Sequence, residues 1–142
     1  MEEDFKKTQT YQNLMDAFSQ ESRANRLYLY FSRRAMLEGY PEIAETFLEA
    51  AQGETGHALG ILDYLREYGE PTTGKPIGTT TENLEAALAL EALEHNKMYP
   101  EMARQAREEG HEEIAEWFES LARAEDTHAA QFRQALEKLK KK

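Results

Sequence analysis

The sequence predicts an all-α protein, a bundle of four long helices made from one helical hairpin written twice. Three observations predict it. Apolar residues recur at three- and four-residue steps along four long stretches, the period of a helix with one buried face. Gly39-Tyr40-Pro41 and Gly110 interrupt that pattern at matching points. At an offset of 71 the chain also repeats itself: Glu38-Gly39 falls on Glu109-Gly110, Glu42-Ile43-Ala44-Glu45 on Glu113-Ile114-Ala115-Glu116, Phe47 on Phe118, Ala51 on Ala122, and Glu54, His57 and Ala58 on Glu125, His128 and Ala129. The 142 residues are read as a single domain, 1–142, with hairpin one at about 10–68, a crossover at about 69–80 and hairpin two at about 81–139. That length can bury a core without disulfides or a structural zinc.

The first helix is expected from about Thr10 to Leu37, with Leu14, Phe18, Glu21, Asn25, Tyr28 and Ala35 on one face. Gly39 suits its carboxyl cap and Pro41 the first turn of the next helix. That second helix, about Pro41 to Tyr68, is expected to bury Ile43, Phe47, Ala51, Glu54, Ala58, Ile61 and Leu65. Gly69 to Gly78 is too rich in Gly, Pro and Thr to be helical throughout. Thr79-Thr80-Thr81-Glu82 then supplies caps for the third helix, whose inner face should carry Leu84, Leu88, Glu91, Glu94 or His95, Met98 and Met102. Pro100 lies inside it and should kink the axis, because it removes one backbone bond. Gly110 marks the second turn, and the fourth helix shows Ile114, Phe118, Leu121, Glu125, His128, Phe132, Leu136 and Leu139 on its inner face. A short turn, a long crossover and a short turn describe a ferritin-like four-helix bundle better than a simple up-and-down one.

Composition removes several classes of function. The chain has no cysteine, so its residues can build no disulfide, thiolate zinc site, iron–sulfur cluster or rubredoxin-type centre. A formal charge of −10 argues against binding to a nucleic-acid backbone, which needs clustered Lys and Arg. The Lys138-Leu139-Lys140-Lys141-Lys142 tail is read as the usual cationic complement to a helix carboxyl end. Met1-Glu2-Glu3-Asp4-Phe5-Lys6-Lys7 lacks the apolar stretch of a secretory signal, and no apolar run is long enough to cross a bilayer, so a cytoplasmic protein without membrane contact is expected.

The repeat carries two Glu-x-x-His motifs, Glu54-Thr55-Gly56-His57 and Glu125-Asp126-Thr127-His128. In a helix such a Glu and His project from neighbouring turns of one face, where both can hold the same metal ion. Residues equally distant from a hairpin turn lie at one height, which sets Glu21 level with His57 and Glu94 level with Glu125. Stacked hairpins would therefore gather Glu21, Glu54, His57, Glu91, Glu94, Glu125 and His128 around one point. This is the donor set of carboxylate-bridged di-metal bundles with one carboxylate more, Glu94. So many carboxylates at one level of a core repel one another unless dications join them. Carboxylate and imidazole donors suit iron or manganese, in one or mixed form.

A blander reading stands beside this. Glu on a helix is usually a solvated charge, and Glu108-Glu109-Gly110-His111 shows the same spacing by chance. Only the two core motifs lie on apolar stripes, repeat at offset 71 and meet a Glu at equal height; the alternative for them is a set of polar core residues or a decayed site. Gly53, Gly56 and Gly60 leave room for metals or allow close helix packing. Tyr28 and Tyr99 either hydrogen-bond ligand carboxylates or are ordinary buried tyrosines. Asn25 and His95 lie near the inner faces, His95 as a supporting residue rather than a ligand. Met98 and Met102 read as core filling and Trp117 as packing at a helix edge.

On Glu21-Ser22-Arg23-Ala24-Asn25 with Tyr28, Glu54-Thr55-Gly56-His57, Glu91-Ala92-Leu93-Glu94 followed by Met98-Tyr99-Pro100, and Glu125-Asp126-Thr127-His128-Ala129, the chain resembles the rubrerythrin family over nearly its full length. Glu91-x-x-Glu94 is the sharpest match, since ferritins lack the added carboxylate. The resemblance implies a non-haem di-iron peroxidase that reduces hydrogen peroxide to water. It implies Glu54 and Glu125 as bridging ligands, Glu21 and Glu91 as terminal ones, His128 on one iron, and exchange of His57 for Glu94 on the other between the Fe2+ and Fe3+ states. Tyr28 and Tyr99 would orient carboxylates. Many members end in a rubredoxin domain, whereas here no cysteine is present, so electrons are expected from a separate rubredoxin-like protein. A homodimer is expected as well, with hairpins exchanged in some members. The competing readings are a ferritin-like iron-binding or iron-storage protein and a metal-free helical interaction module.

Overall fold

The structure, a computed structural model, describes residues 2–141; Met1 of the amino-terminal run and Lys142 of the basic tail lie outside the described residues. Every regular element among the described residues is helical. In chain order these are α1 (Glu2–Lys6), α2 (Gln9–Leu37), α3 (Pro41–Leu65) with a 3-10 turn at Arg66–Tyr68, α4 (Thr80–Leu93), a π turn at Glu94–Met98, α5 (Tyr99–Glu108) and α6 (Glu112–Lys140). The chain divides into two compact units, Met1–Tyr68 and Gly69–Lys142, and each contains one helical hairpin.

In the first unit α2 packs along α3. The Thr8 hydroxyl accepts from the Tyr11 N–H and caps α2, so the helix starts slightly earlier than its apolar stripe suggested. Gly39, at φ +87°, lets the chain turn, with Tyr40 N–H donating to Ala35 O at 2.9 Å and Gly39 N–H to Met36 O at 3.1 Å. That is a Schellman cap. Gly110 repeats it at φ +87°, with His111 N–H on Ala106 O at 2.8 Å and Gly110 N–H on Arg107 O at 3.1 Å. The short α1 is an element the sequence pattern did not reveal; Phe5 stacks on Tyr68 at 4.8 Å and meets Tyr11 edge-on at 6.0 Å.

The seam within each hairpin is lined by small residues. Ala44, Ala51, Ala58 and Leu65, spaced by seven, are the buried residues of α3, and Ala115, Ala122 and Ala129 are those of α6. A seven-residue step keeps one line of side chains facing a single partner helix. The larger apolar residues flank this line instead of filling it, which corrects several expectations. Ile43 and Ile114, expected in the core, are half exposed, and Trp117 stands out from its helix. Each Ile is the immediate neighbour of a seam alanine, so its side chain leaves the contact line by about 100° of helix rotation.

In the second unit α4, the π turn and α5 all pack along α6. The Thr79 hydroxyl accepts from Glu82 N–H at 3.1 Å while the Glu82 carboxylate accepts from Thr79 N–H at 3.0 Å, the capping box expected there. The expected single third helix is instead interrupted. Tyr99 N–H bonds to Glu94 O, five residues back, and Pro100 follows at the start of α5. One residue is thus looped into the helix where the sequence suggested a proline kink. Beyond it the apolar phase changes: Ala103 and Ala106 are buried, while Met102, expected as core filling, is exposed. No helix among the described residues is long and apolar enough to cross a membrane.

Candidate metal centre

Each hairpin brings three of the predicted ligands together. In the first, Glu21 comes from α2 and Glu54 and His57 from α3. His57 Nδ1 lies 3.5 Å from Glu21 Oε2 and 3.5 Å from Glu54 Oε2. In the second, Glu91 comes from α4 and Glu125 and His128 from α6, with His128 Nδ1 3.5 Å from Glu91 Oε1 and 3.6 Å from Glu125 Oε2. In either group one donor atom from each residue lies within 4.8 Å of the others, a spacing one ion can draw together. The glutamates are partly buried and the imidazoles exposed.

Glu94, the seventh predicted ligand, is the first residue of the π turn and belongs to neither three-residue group, but burial and the neighbouring Glu125 raise its carboxyl. Glu91 and Glu94 are both pushed up to about 7, first by burial, then by hydrogen bonding with Glu125 and by its charge. Glu125 is lowered, because it accepts from Glu91 and Glu94. The three carboxylates titrate together, and the direction that matters is that this group holds protons to a higher pH than separate glutamates would. Glu91 Oε2 is buried with no hydrogen-bond partner. A buried carboxylate oxygen without a partner, beside further carboxylates and an imidazole, is a group that a cation would satisfy, so the donor set fits a metal.

The tyrosines are less direct. Tyr99 stacks on Phe118 at 6.1 Å, and its phenol is raised by burial and then by the charges of Glu94, Glu125 and Glu91. Tyr28 lies 6.3 Å from both Phe31 and Phe47. Neither hydroxyl hydrogen-bonds a ligand carboxylate among the described residues. A Cβ at Gly53, Gly56 or Gly60 would meet nothing within 4 Å, so packing inside the hairpin does not require these glycines. The third Glu-x-x-His, Glu108 to His111, straddles the turn after α5; Glu108 binds Arg104 and His111 precedes α6, so no donor pair forms.

Two contacts were missed in the sequence. Asn25 Nδ2 donates to Ala51 O and to Thr55 Oγ1, each at 2.8 Å. His95 Nδ1 lies 2.7 Å from Ala122 O, and its Nε2 lies 3.9 Å from Asp126 Oδ1. A signal for the π turn did exist: Tyr28 and Tyr99 keep the offset of 71, whereas Glu21 and Glu91 differ by 70. One residue has been inserted between ligand and tyrosine in the second repeat, and a π turn is how a helix absorbs one.

Helical hairpins that each carry a Glu-x-x-His and a facing glutamate define the carboxylate di-metal class of helical proteins. The family model described as Rubrerythrin matches residues 12–136. The chain is 41% identical to rubrerythrin from Nitratidesulfovibrio vulgaris over 132 residues, covering 89% of this chain and 69% of that protein. It is 39% identical to rubrerythrin from Porphyromonas gingivalis over 137 residues, 93% of this chain and 68% of the relative. The crystal structure of dithionite-reduced symerythrin from Cyanophora paradoxa aligns at 25% identity with a TM-score of 0.43, over 92% of this chain and 84% of that one. The chain belongs to the rubrerythrin family, and among the described residues its fold is all-α. That family implies a di-iron centre.

Proposed function

We propose that the protein is a di-iron peroxidase that reduces hydrogen peroxide to water, with electrons from a separate rubredoxin-like redox protein. The observation that carries this reading is Glu94. It adds a carboxylate to the Glu91, Glu125 and His128 group, beyond what iron binding alone requires, and the π turn is the local device that presents it.

Glu21, Glu54, His57, Glu91, Glu94, Glu125 and His128 would hold the metal. Iron, when bound, supplies one electron per ion and the positive charge that lets these carboxylates stand close together. Glu94 is assigned to the oxidised state and His57 to the reduced one, since a hard carboxylate favours the ferric ion and a neutral imidazole the ferrous. Tyr99 keeps its proton, because burial and three neighbouring carboxylates oppose its ionisation, and so would have a hydrogen to offer a ligand carboxylate in the metal-loaded protein. Tyr28 is assigned the same task in the first hairpin. Reduction of one peroxide consumes two electrons and two protons and yields two waters.

Rapid mixing of the ferrous protein with peroxide or with dioxygen tests this. Oxidation should be complete within seconds with peroxide and clearly slower with dioxygen, and Glu94→Gln should slow the peroxide reaction by about tenfold or more, the loss typical of a misplaced or missing ligand. Equal rates with both oxidants sink the peroxidase reading. Uptake of many irons per chain into a large assembly would mark iron storage instead.

A further inference from the structure

The insertion in the second repeat raises a mechanical problem. A π turn is rarer and less favourable than the α-helix around it, and an extra residue can be passed along a helix by exchanging one hydrogen bond at a time. Its position decides which side chains face α6. Were the turn to move toward the amino end, Glu91 would rotate off that face by about 100°. Yet the two ligand groups keep matching distances, 3.5 and 3.5 Å in one hairpin and 3.5 and 3.6 Å in the other. Some contact fixes the insertion.

His95 is placed to do this. It lies inside the π turn, one residue after Glu94, and its Nδ1 approaches Ala122 O at 2.7 Å. A carbonyl oxygen can only accept, so Nδ1 carries the proton and donates it. The first repeat contains the same bond in another form, since Asn25 donates to Ala51 O at 2.8 Å and Ala51 is the repeat partner of Ala122. The neighbouring contacts also correspond: Asn25 reaches Thr55, His95 faces Asp126, and Thr55 and Asp126 differ by 71. Asn25 stands four residues after Glu21, and His95 four after Glu91. In both hairpins a cross-helix hydrogen bond thus sits one turn beyond the facing glutamate, on the same side, whatever happens further along the helix.

We propose that His95 is a positioning residue: its Nδ1–H to Ala122 O bond pins the π turn at Glu94–Met98 and so sets the height and facing of Glu91 and Glu94 toward Glu125 and His128. The pin itself is independent of metal. Its effect on metal affinity rests on the di-metal reading above.

The test compares the parent, His95→Ala and His95→Asn, the last imitating the first repeat. In metal-free protein, exchange of the Tyr99 amide, which bonds to Glu94 O, should quicken about fivefold or more in H95A, the factor for one lost hydrogen bond of ordinary strength, while H95N stays near the parent. Amides of α2 and α3 should not respond. Unchanged exchange in H95A, or equal quickening along every helix, overturns the pin; an H95N protein as labile as H95A overturns its assignment to the hydrogen bond. Titration with cobalt(II) should then show H95A binding about tenfold more weakly than parent and H95N, as for lost partners of metal ligands. Equal cobalt affinity in all three overturns the positioning of Glu91 and Glu94. A parent that takes up no cobalt refutes the di-metal reading, and amide exchange still decides on the pin.

Discussion

Carboxylates crowded beside one imidazole make the second ligand group sensitive to pH. Unfolded glutamates lose their protons near 4.5, whereas Glu91 and Glu94 in the folded chain hold theirs up to about 7. Between those values the folded state binds more protons, so stability of the metal-free protein falls as pH rises through that window. The lowered Glu125, and Glu70, act the other way and in a different range, losing their contribution as pH drops below the ordinary glutamate value. For Glu70, burial works against ionisation, but hydrogen bonds from Thr72 and Thr73 prevail. Urea denaturation of metal-free protein at about pH 5.5 and about pH 8 should give the higher midpoint at the lower pH. Glu91→Gln combined with Glu94→Gln should flatten the difference. A midpoint that rises with pH in the parent would mean that Glu91 and Glu94 do not hold their protons above the ordinary glutamate range.

At the scale of the helices, the alanine seam carries the close approach within each hairpin. Ala51 is 1% exposed, and its neighbours along the seam are equally small. Ala51→Leu must push α2 and α3 apart or force a strained rotamer, and should lower stability by about 1–3 kcal/mol in equilibrium denaturation. The turns are equally specific. Gly110→Ala places a Cβ at φ +87° and should cost about 1–2 kcal/mol, with no change in the ligands of α6. Both values are read from the same denaturation experiment, and a neutral A51L would contradict a tight seam.

For the whole molecule the decisive quantity is linkage to metal. A chain of formal charge −10 with two clusters of acidic donors should gain stability from any dication that binds the folded state and not the unfolded one. Ferrous ion or cobalt(II) at a hundredfold above its dissociation constant should add about 2.7 kcal/mol per site, seen as a rise in melting temperature. Elemental analysis of protein purified without added metal tests the proposed pair of ions. An unmoved melting temperature would instead favour a helical interaction module.

The all-helical class, the hairpin turns and the six residues of the two ligand groups were legible in the residues alone, because helical period and repeat offset are properties of local chemistry. Ala51, Ala58 and Leu65 were legible as buried, but Ala44 and the exclusion of its neighbour Ile43 from the contact line were not, since hydrophobicity ranks side chains by size while close helix contact selects small ones. Nor was the π turn, although the change of offset from 71 to 70 encodes it. An inserted residue can be absorbed anywhere along a helix, and its place is chosen by contacts with another helix. Sequence by itself determined which donors exist and at what spacing. Only tertiary structure decided where the added residue is held, because the hydrogen bond from His95 to Ala122 joins residues 27 apart in the chain.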